Sequence, residues 1–451
     1  MFEPSTPITT LLSTLAATPA ASEGMRAMLQ RSSEFVNPLI AQLTGIALDP
    51  AGRELADHTL DHYWADEQRQ QDTLNASLCD REVIIGSGYH AAVYAATRVQ
   101  AGYPKPLVLE RGQRVGGIFA TTTRPVFYLN SPNRPGGPGL AGDLGANLNY
   151  LPGAPIQAAN VSALEYPTNT DMAFVIRLAL AQFAEVVPDT NVIAYDDGDG
   201  GGAALAIDSR PTLPAGRVID ARGMGDPDGG HLANGTTILT FTQFIQRMAG
   251  LWPLRGLRRV AVVGGGDAGK CVIESLLGIA PQPFMAAAAL DHVDRIDWYD
   301  DALPTTCTVW QDEIRGRYQA IGRYLRDDRS GARRLTVKQR RAGVVDVPGM
   351  ALIEGRGYDL VVLCTGSKEP FIQGLGGLGE CDLYSVYGAG PVAQQYQGEP
   401  VFRVGPHARL PFSAQERNEG VADVPGNAVA MFRLGSKTAA LAATLPPVIR
   451  A

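Results

Sequence analysis

Short apolar runs that break at glycine set the rhythm of the chain from residue 81 onward. Glu82-Val83-Ile84-Ile85 predicts a buried strand, because a continuous apolar run of this length has no solvent face. Gly86-Ser87-Gly88-Tyr89-His90-Ala91 follows, then an alanine-rich stretch through Val99 that predicts a helix. Leu107-Val108-Leu109 predicts a second strand ending on Glu110. Together they form a β-α-β unit of about 30 residues, the element from which parallel sheets are built. The succession starts again at Arg259-Val260-Ala261-Val262-Val263 and turns at Gly264-Gly265-Gly266-Asp267-Ala268-Gly269-Lys270. It runs on as a helix from Cys271 to Leu277 and, after a Pro- and Ala-rich insertion (Gly278 to Leu290), as a strand Arg295 to Tyr299 closing on Asp300 and Asp301. Asp359 to Gly366 predicts a further buried strand, and Asn427 to Leu445 a C-terminal helix. Residues 1 to about 80 differ: they hold little glycine and read as helical, with Leu55, Leu60, Tyr63 and Trp64 among charges in a mostly polar helix from Arg53 to Asn75.

Length and composition narrow the picture. A chain of 451 residues suggests two to three domains at about 150 residues each. Apolar residues make up 45% and charged residues 19%, an ordinary globular balance. Lys plus Arg number 39 against 46 for Asp plus Glu, and this acidic surface argues against nucleic-acid binding, which needs clustered positive charge. The five cysteines (Cys79, Cys271, Cys307, Cys364, Cys381) form no Cys-x-x-Cys and stand at no zinc-ligand spacing. His58 and His62 have i, i+4 spacing without a third ligand, so exposed helix-surface histidines are expected and no metal. No apolar run reaches membrane-spanning length. The segment Ile8 to Ala21 follows Glu3 rather than basic residues, the wrong charge for a secretory signal. The expectation is a soluble, cytoplasmic protein with no membrane partner.

The glycine turns carry the candidate chemistry. Gly86-x-Gly88-x-x-Ala91 is a dinucleotide fingerprint: the first glycine makes the sharp turn, the second lets backbone approach a pyrophosphate, and a small third residue packs helix on strand. The phosphates then lie at a helix N-terminus, where free N–H groups and the helix dipole favour negative charge. Glu110, followed by Arg111, ends the second strand, where an acid accepts hydrogen bonds from ribose hydroxyls. Gly264-x-Gly266-x-x-Gly269, with Asp267, Ala268 and Lys270 opening its helix, repeats the logic. Two fingerprints predict two dinucleotides, one a flavin and one a nicotinamide, whose juxtaposition serves hydride transfer.

This order resembles the two-dinucleotide-binding-domain flavoproteins, among them flavin-containing monooxygenases, N-hydroxylating monooxygenases and thioredoxin-reductase-like enzymes. The resemblance covers roughly residues 81 to 451. It implies an α/β fold with two Rossmann-like domains, a FAD domain split around an inserted NAD(P) domain, plus the helical N-terminal extension. The expected limits are 1–80 for the extension, 81–250 and 346–451 for the FAD domain, and 251–345 for the NAD(P) domain. The resemblance also implies that Gly116-Gly117 is the glycine pair after the ribose acid. It likens Val218 to Gly223 to the strand leading to the inserted domain, and Leu363-Cys364-Thr365-Gly366 to the same motif on the return. Near the C-terminus, Val404-Gly405-Pro406 has Pro406 where reductase-type relatives carry an Asp toward the flavin ribityl chain. Asn427 and Ala428 open the helix that faces the flavin in relatives, and Tyr89 stands where N-hydroxylases have Pro.

Several side chains remain open between two readings. Asn130, Asn133 and Arg134 lie in a Pro/Gly-rich loop that runs beside the flavin in relatives; they either hydrogen-bond flavin or nicotinamide, or satisfy their own turns. His90 either touches a pyrophosphate or caps its helix, and His407 is the acid/base candidate. Asp297, Asp300 or Asp301 would favour NADH, whereas Arg315 and Arg317 would clamp the 2′-phosphate of NADPH or form a solvated face beside Asp312 and Glu313. The leaning is toward NADPH. No two cysteines are sequence neighbours, so disulfide reduction is not expected. Molecular oxygen becomes the favoured partner, and the expected function is NAD(P)H-dependent monooxygenation of a small organic metabolite. Passing electrons to a non-oxygen acceptor and a non-catalytic FAD-binding role are the alternatives; substrate identity and oligomeric state stay open.

Overall fold

The computed structural model describes residues 38–47, 49–75, 81–129, 151, 154–196, 203–208, 213–250, 256–280, 293–301, 318–327, 334–368, 372–375, 381–385, 391–396, 401–405, 439 and 442–443. Three helices come first: α1 (Pro38–Ala47), α2 (Pro50–Ala65) and α3 (Glu67–Asn75). The polar helix expected over Arg53 to Asn75 is thus two helices. They part at Asp66, whose carboxylate accepts the Arg69 backbone N–H at 2.9 Å; an Asp that can cap a new helix breaks the old one.

Two units of like succession follow. The first runs β1 (Glu82–Ile85), α4 (Tyr89–Gln100), β2 (Leu107–Leu109), α5 (Ala158–Val161), α6 (Asn169–Phe183) and β3 (Glu185–Val187). A meander of β4 (Val192–Asp196), β5 (Ala203–Ile207) and β6 (Leu213–Ala215) then leads to β7 (Arg217–Asp220). The chain crosses through β8 (Asp226–Pro227) to β9 (Ile238–Thr240) and α7 (Phe241–Ala249). The second unit is β10 (Arg259–Val263), α8 (Asp267–Leu277), β11 (Arg295–Tyr299), α9 (Gln319–Asp327) and β12 (Leu335–Lys338). Its own meander of β13 (Val344–Val347), β14 (Met350–Ile353) and β15 (Arg356–Tyr358) leads to β16 (Leu360–Leu363). The return passes β17 (Ser367–Lys368) and ends in β18 (Cys381–Ser385), β19 (Pro391–Tyr396) and β20 (Val401–Arg403).

The first sheet has the order β18-β19-β20-β7-β1-β2-β3, parallel from β20 to β3 and antiparallel at β18-β19-β20. The second has the order β12-β11-β10-β16-β9 and is parallel throughout. Each sheet carries helices on one face and its meander on the other, so β2, β7 and β16 are buried along their whole length, and β2 and β16 read as unbroken apolar runs. In α4 the residues Ala91, Ala92, Ala95 and Ala96 are fully buried, and Ala439, Ala442 and Ala443 join the same core. Arg98 of α4 reaches the Ala443 carbonyl at 2.9 Å.

The sheets divide the strands between the two units. β9 and β16 both lie in the second sheet, so that unit begins before 251 and ends beyond 345. Leu363-Cys364-Thr365-Gly366 accordingly closes a strand of the second unit, where it stands to β10 as Asp220 to Gly223 stand to β1. The physical reason is pairing: each strand continues the parallel ladder of its own β-α-β core, and a glycine signature alone carries no sheet membership. The crossings are tied by β8 pairing antiparallel with β17, by Lys368 on Asp228 at 2.8 Å, and by the Thr365 hydroxyl donating to the Asp228 carbonyl at 2.7 Å. Asn427 to Leu445 lies outside the described residues except for Ala439, Ala442 and Ala443, all helical and buried. Among the described residues no helix is long and apolar enough to cross a membrane.

Candidate functional site

The two glycine turns are built alike, and each glycine has its own reason. Gly86 has φ +96°, and a Cβ on it would stand 2.8 Å from the Ala221 carbonyl oxygen; Gly264 has φ +116°, and a Cβ there would lie 2.0 Å from that of Cys364. These first glycines are required by the protein's own backbone. A Cβ on Gly269 would stand 2.0 Å from the Gly264 carbonyl oxygen, so α8 packs close on its turn; Ala91 at the matching place in α4 tolerates its methyl group, fully buried. The second glycines are different. Gly88 and Gly266 have φ of −77° and −68°, values any residue adopts. A Cβ on either would meet nothing within 4 Å. Among the described residues nothing explains why these two positions lack a side chain.

The helix ends at those positions are open as well. Gly88 and Gly266 are the N-caps of α4 and α8, and neither helix start receives a side-chain cap. By contrast α6 and α7 are closed by capping boxes at Thr168 and Thr240. The first turn of a helix leaves N–H donors unpaired, and at α4 and α8 those donors stand beside the two empty Cβ positions. That arrangement fits an anion, here the pyrophosphate of a dinucleotide.

An acid braces each turn. The Glu110 carboxylate accepts the Ser87 N–H (2.9 Å) and the Ser87 hydroxyl (2.6 Å) on Oε2, and the Gly112 N–H (2.7 Å) on Oε1. A carboxylate offers about four acceptor sites, so roughly one remains, on Oε1. The Ser87 hydroxyl in turn accepts the Gly116 N–H at 2.9 Å. Gly117, at φ +62°, lies so close to the turn that a Cβ on it would stand 2.9 Å from the Gly88 Cα. The sequence reading passed over Ser87; its place inside the fingerprint, one residue from each glycine, was the available signal. In the second unit Asp300 holds the Gly265 N–H in the same manner. Asp297 is not at the ribose end at all: it is buried within β11, where it takes the Tyr358 hydroxyl at 2.7 Å and Arg295 at 3.0 Å. The alternation of a strand puts Asp297 inside, two residues before the turn-facing end.

Both turns line one cavity of about 2000 Å³. Ligand pockets commonly measure about 300–1,000 Å³, so this one has room for two dinucleotides. Gly86, Gly88, Tyr89, His90, Glu110, Arg111, Gly116 and Gly117 line it from the first unit; Gly264, Gly266, Asp267, Ala268, Thr365 and Gly366 line it from the second. Phe119, Phe127 and Phe241, with Gln243 and Gln246, also line it. Phe127 bridges the other two rings, with centroids 6.5 and 5.9 Å away. Ala91, Gly269, Lys270 and Gly405 are not among the lining residues. Lys270 pairs with Asp267 at 3.6 Å and sits over the Tyr318 ring. Gly405, at φ +100°, packs on His90, whose Nδ1 would be 3.4 Å from a Cβ there. His90 itself is buried against that turn. Asn130, Asn133, Arg134, Arg315, Arg317, Pro406, His407, Asn427 and Ala428 lie outside the described residues.

Charge beyond the ends of β2 and β11 is paired. Arg111 holds Asp226 of β8 with two contacts, at 2.6 and 3.2 Å, which keeps its guanidinium above the ordinary arginine range. Arg222 folds back on Asp220 at 2.7 and 2.8 Å. In the second unit the described basic side chains lining the cavity are Arg340 and Arg341, beside Asp300 and Asp301. Arg341 pairs with Asp301 at 2.6 Å and Arg340 with Glu354 at 2.5 Å. Neither arginine drew notice in the sequence, because both follow an unremarkable short strand. His58 and His62 stack edge to face at 4.4 Å on the exposed side of α2, and among the described residues no group of three metal-ligating side chains occurs.

The fold also joins Cys271 and Cys364, far apart in sequence, in the second core and along the same cavity. Burial pushes the Cys364 thiol well up, and Cys271 adds to it. The reactive species is the thiolate, so burial holds Cys364 in its unreactive form. Iodoacetamide on the folded protein at pH 8 should leave Cys271 and Cys364 unmodified, while the denatured chain labels at both, as read by peptide mass spectrometry. Rapid native labelling would reopen a dithiol role.

No protein-family model and no curated protein matches the chain. Among solved structures it is similar to an FAD-bound cadaverine monooxygenase of desferrioxamine biosynthesis from Erwinia amylovora. That likeness has 11% identity, 82% of this chain and 94% of that one covered, and a TM-score of 0.51. It is also similar to an ornithine N-hydroxylase from Kutzneria sp. 744 (13% identity, 81% and 98% covered, TM-score 0.49). A flavin-containing monooxygenase from Stenotrophomonas maltophilia gives 18% identity, 81% and 98% covered, and a TM-score of 0.45. The likeness to the Erwinia protein is one of fold.

Proposed function

The chain has the fold of the two-dinucleotide-binding-domain flavoproteins, and on that premise we propose that it is an NAD(P)H-dependent FAD oxidoreductase, specifically a monooxygenase of a small organic molecule. The observation that carries this reading is the pair of second glycines, Gly88 and Gly266, each in open space at an uncapped helix start and both on one cavity. FAD belongs to the first turn and the nicotinamide dinucleotide to the second. Once bound, FAD supplies hydride acceptance from the nicotinamide and, when reduced, reaction with molecular oxygen. The chain's own part is to bind and orient. The α4 and α8 N–H groups take the two pyrophosphates, Glu110 offers its remaining lone pair to a ribose hydroxyl, and the Phe119–Phe127–Phe241 wall keeps water from the space between the motifs.

Oxygen is favoured over a disulfide acceptor because Cys271 and Cys364 are both buried and burial pushes the Cys364 thiol up. The test is a spectrum of the purified protein, then anaerobic titration with NADPH and NADH, then the same reaction in air. A yellow protein that bleaches anaerobically and consumes oxygen and NAD(P)H one to one with an oxygenated product supports the reading. Fast anaerobic turnover with a quinone or carrier protein and none with oxygen would assign it to the reductases. A flavin that no nicotinamide reduces would make it a binding protein.

Two variants probe the ribose ends. Glu110→Ala removes charge-assisted hydrogen bonds worth about 1.5–3 kcal/mol each, so the FAD dissociation constant should rise by about one to two decades. An unchanged constant by fluorescence titration of the apoprotein would remove Glu110 from the site. For the nicotinamide, Asp300 suits a free 2′-hydroxyl and Arg340 with Arg341 suits a 2′-phosphate. The reading leans to NADPH. Arg340→Ala with Arg341→Ala should raise KM for NADPH by about one decade, the loss of a contact of roughly 1.5 kcal/mol, and leave NADH nearly unchanged. Equal loss for both would return the lead to Asp300 and NADH.

A further inference from the structure

The helical layer ahead of the first strand has its own polar stripe. Along α2, Ala56, Leu60 and Trp64 are buried at i, i+4, i+8 and join the first core. Three positions earlier, Arg53, Asp57 and Asp61 repeat the same spacing on a neighbouring line of the helix surface. Every member of that second stripe is spoken for. Arg53 pairs with Asp171 at the start of α6 and donates to the Val161 carbonyl at 2.9 Å. Asp57 and Asp61 together grip two arginines that do not belong to the helical layer. Arg177 of α6 has no exposed side-chain surface and meets Asp57 at 2.8 Å and Asp61 at 2.7 Å. Arg114 pairs with Asp57, and with Asp61 at 2.9 Å.

Arg114 is the notable member, because it stands in the segment 110–117 that forms one wall of the first glycine turn. That segment is fixed to the turn at its two ends, by Glu110 on Ser87 and by Gly116 on the Ser87 hydroxyl. Its middle is fixed to α2 and α6: Arg114 through the two carboxylates, and the Val115 carbonyl through Arg177 at 3.1 Å. Arg177 also stacks over Trp64 at 5.0 Å, so the same guanidinium ties the apolar stripe to the polar one. The four charges cancel. Without the two carboxylates, two cations would face each other, one of them fully out of water, and the segment carrying Arg114 would be pushed from its seat.

We infer that Asp57 and Asp61 are positioning residues of the first dinucleotide site: a carboxylate clamp on α2 that presets the 110–117 segment and thereby sets how tightly the site holds FAD. The helical extension is then a working part of that site. This inference rests on the assignment of FAD to the first turn. A segment already held in its bound shape spares the ligand the cost of ordering it, so the clamp acts on affinity and on the rate of flavin release.

The test compares the full-length parent with Asp57→Asn/Asp61→Asn and with Arg53→Gln. The latter loosens the docking of α2 without touching the 110–117 segment. Two quantities are read for each: the FAD dissociation constant of the apoprotein by fluorescence titration, and the melting temperature of the apoprotein. The clamp requires the double variant to release FAD at least tenfold more readily, with Arg53→Gln within twofold of the parent even where its melting temperature falls as far. Asp57→Glu/Asp61→Glu should recover part of the loss. If the double variant does not fold, Arg114→Ala carries the same expectation, since Arg114 is partly exposed. FAD affinity within twofold of the parent in the double variant, or equal weakening in Arg53→Gln, overturns the clamp alone. A parent chain that takes up no FAD overturns the first-site assignment, and the clamp with it.

Discussion

Gly88→Val should purify folded and colourless. The backbone at Gly88 has φ −77° and ψ −172°, an extended conformation that valine adopts readily, and its Cβ would meet no protein atom within 4 Å. Losing glycine for valine at an N-cap costs folding only about 1 kcal/mol. The ligand loses much more, because the branch occupies the space through which a pyrophosphate reaches the α4 N–H groups. Two charge-assisted hydrogen bonds at about 1.5–3 kcal/mol each amount to two to four decades in affinity. The contrast is Gly86→Val. There φ is +96° and the Cβ would stand 2.8 Å from the Ala221 carbonyl oxygen, so the variant should be insoluble or strongly destabilised rather than merely flavin-free. Stoichiometric flavin in purified Gly88→Val would move the cofactor away from this turn.

Gly266→Val should stay yellow and lose reduction by either nicotinamide. Its backbone (φ −68°, ψ −174°) is as permissive as that of Gly88, and its Cβ position is as empty. The turn lies at the end of β10 in the other sheet, so the flavin site is undisturbed. Blocking the pyrophosphate costs the same two to four decades, here in the concentration of NAD(P)H needed for half-maximal anaerobic bleaching. The readout is stopped-flow absorbance of the flavin band at a fixed NADPH concentration. A rate equal to the parent's would leave Gly264 to Gly269 as a packing turn and deprive the oxidoreductase reading of its electron source. Gly264→Ala, with its Cβ 2.0 Å from the Cys364 carbonyl oxygen, should instead fail to fold.

The two glycine turns were legible in the sequence because their geometry is local. A strand, a tight turn and a helix start involve some ten neighbouring residues, and the sterics of φ and ψ leave glycine the residue for Gly86 and Gly264. Glu110 at the end of β2 was legible for the same reason, whereas at the end of β11 the sequence left Asp297, Asp300 and Asp301 open and the structure brings Asp300 to its turn. The duplication reached further than the two starts, since each unit adds its own antiparallel meander before the closing strand, β7 or β16. Those meanders are short and irregular in pattern, and nothing in them marks the sheet they serve.

The sequence by itself determined the α/β class, the two glycine turns and an acid at the end of β2, all features in which each residue answers to neighbours along the chain. The tertiary structure decided which side chains meet across it. It put the strand that Leu363 to Gly366 close in the second sheet, buried Asp297 against Tyr358, and brought Cys271 beside Cys364 in one core. It placed Arg340 and Arg341 at the second site, and laid α2 against the 110–117 segment through Asp57, Asp61, Arg114 and Arg177. Such meetings are fixed by long-range packing, where the entropy of closing a loop is offset by burial of whole faces rather than by any one residue pair. A charge at a given position carries no mark of its distant partner until the faces that bear both have been packed together.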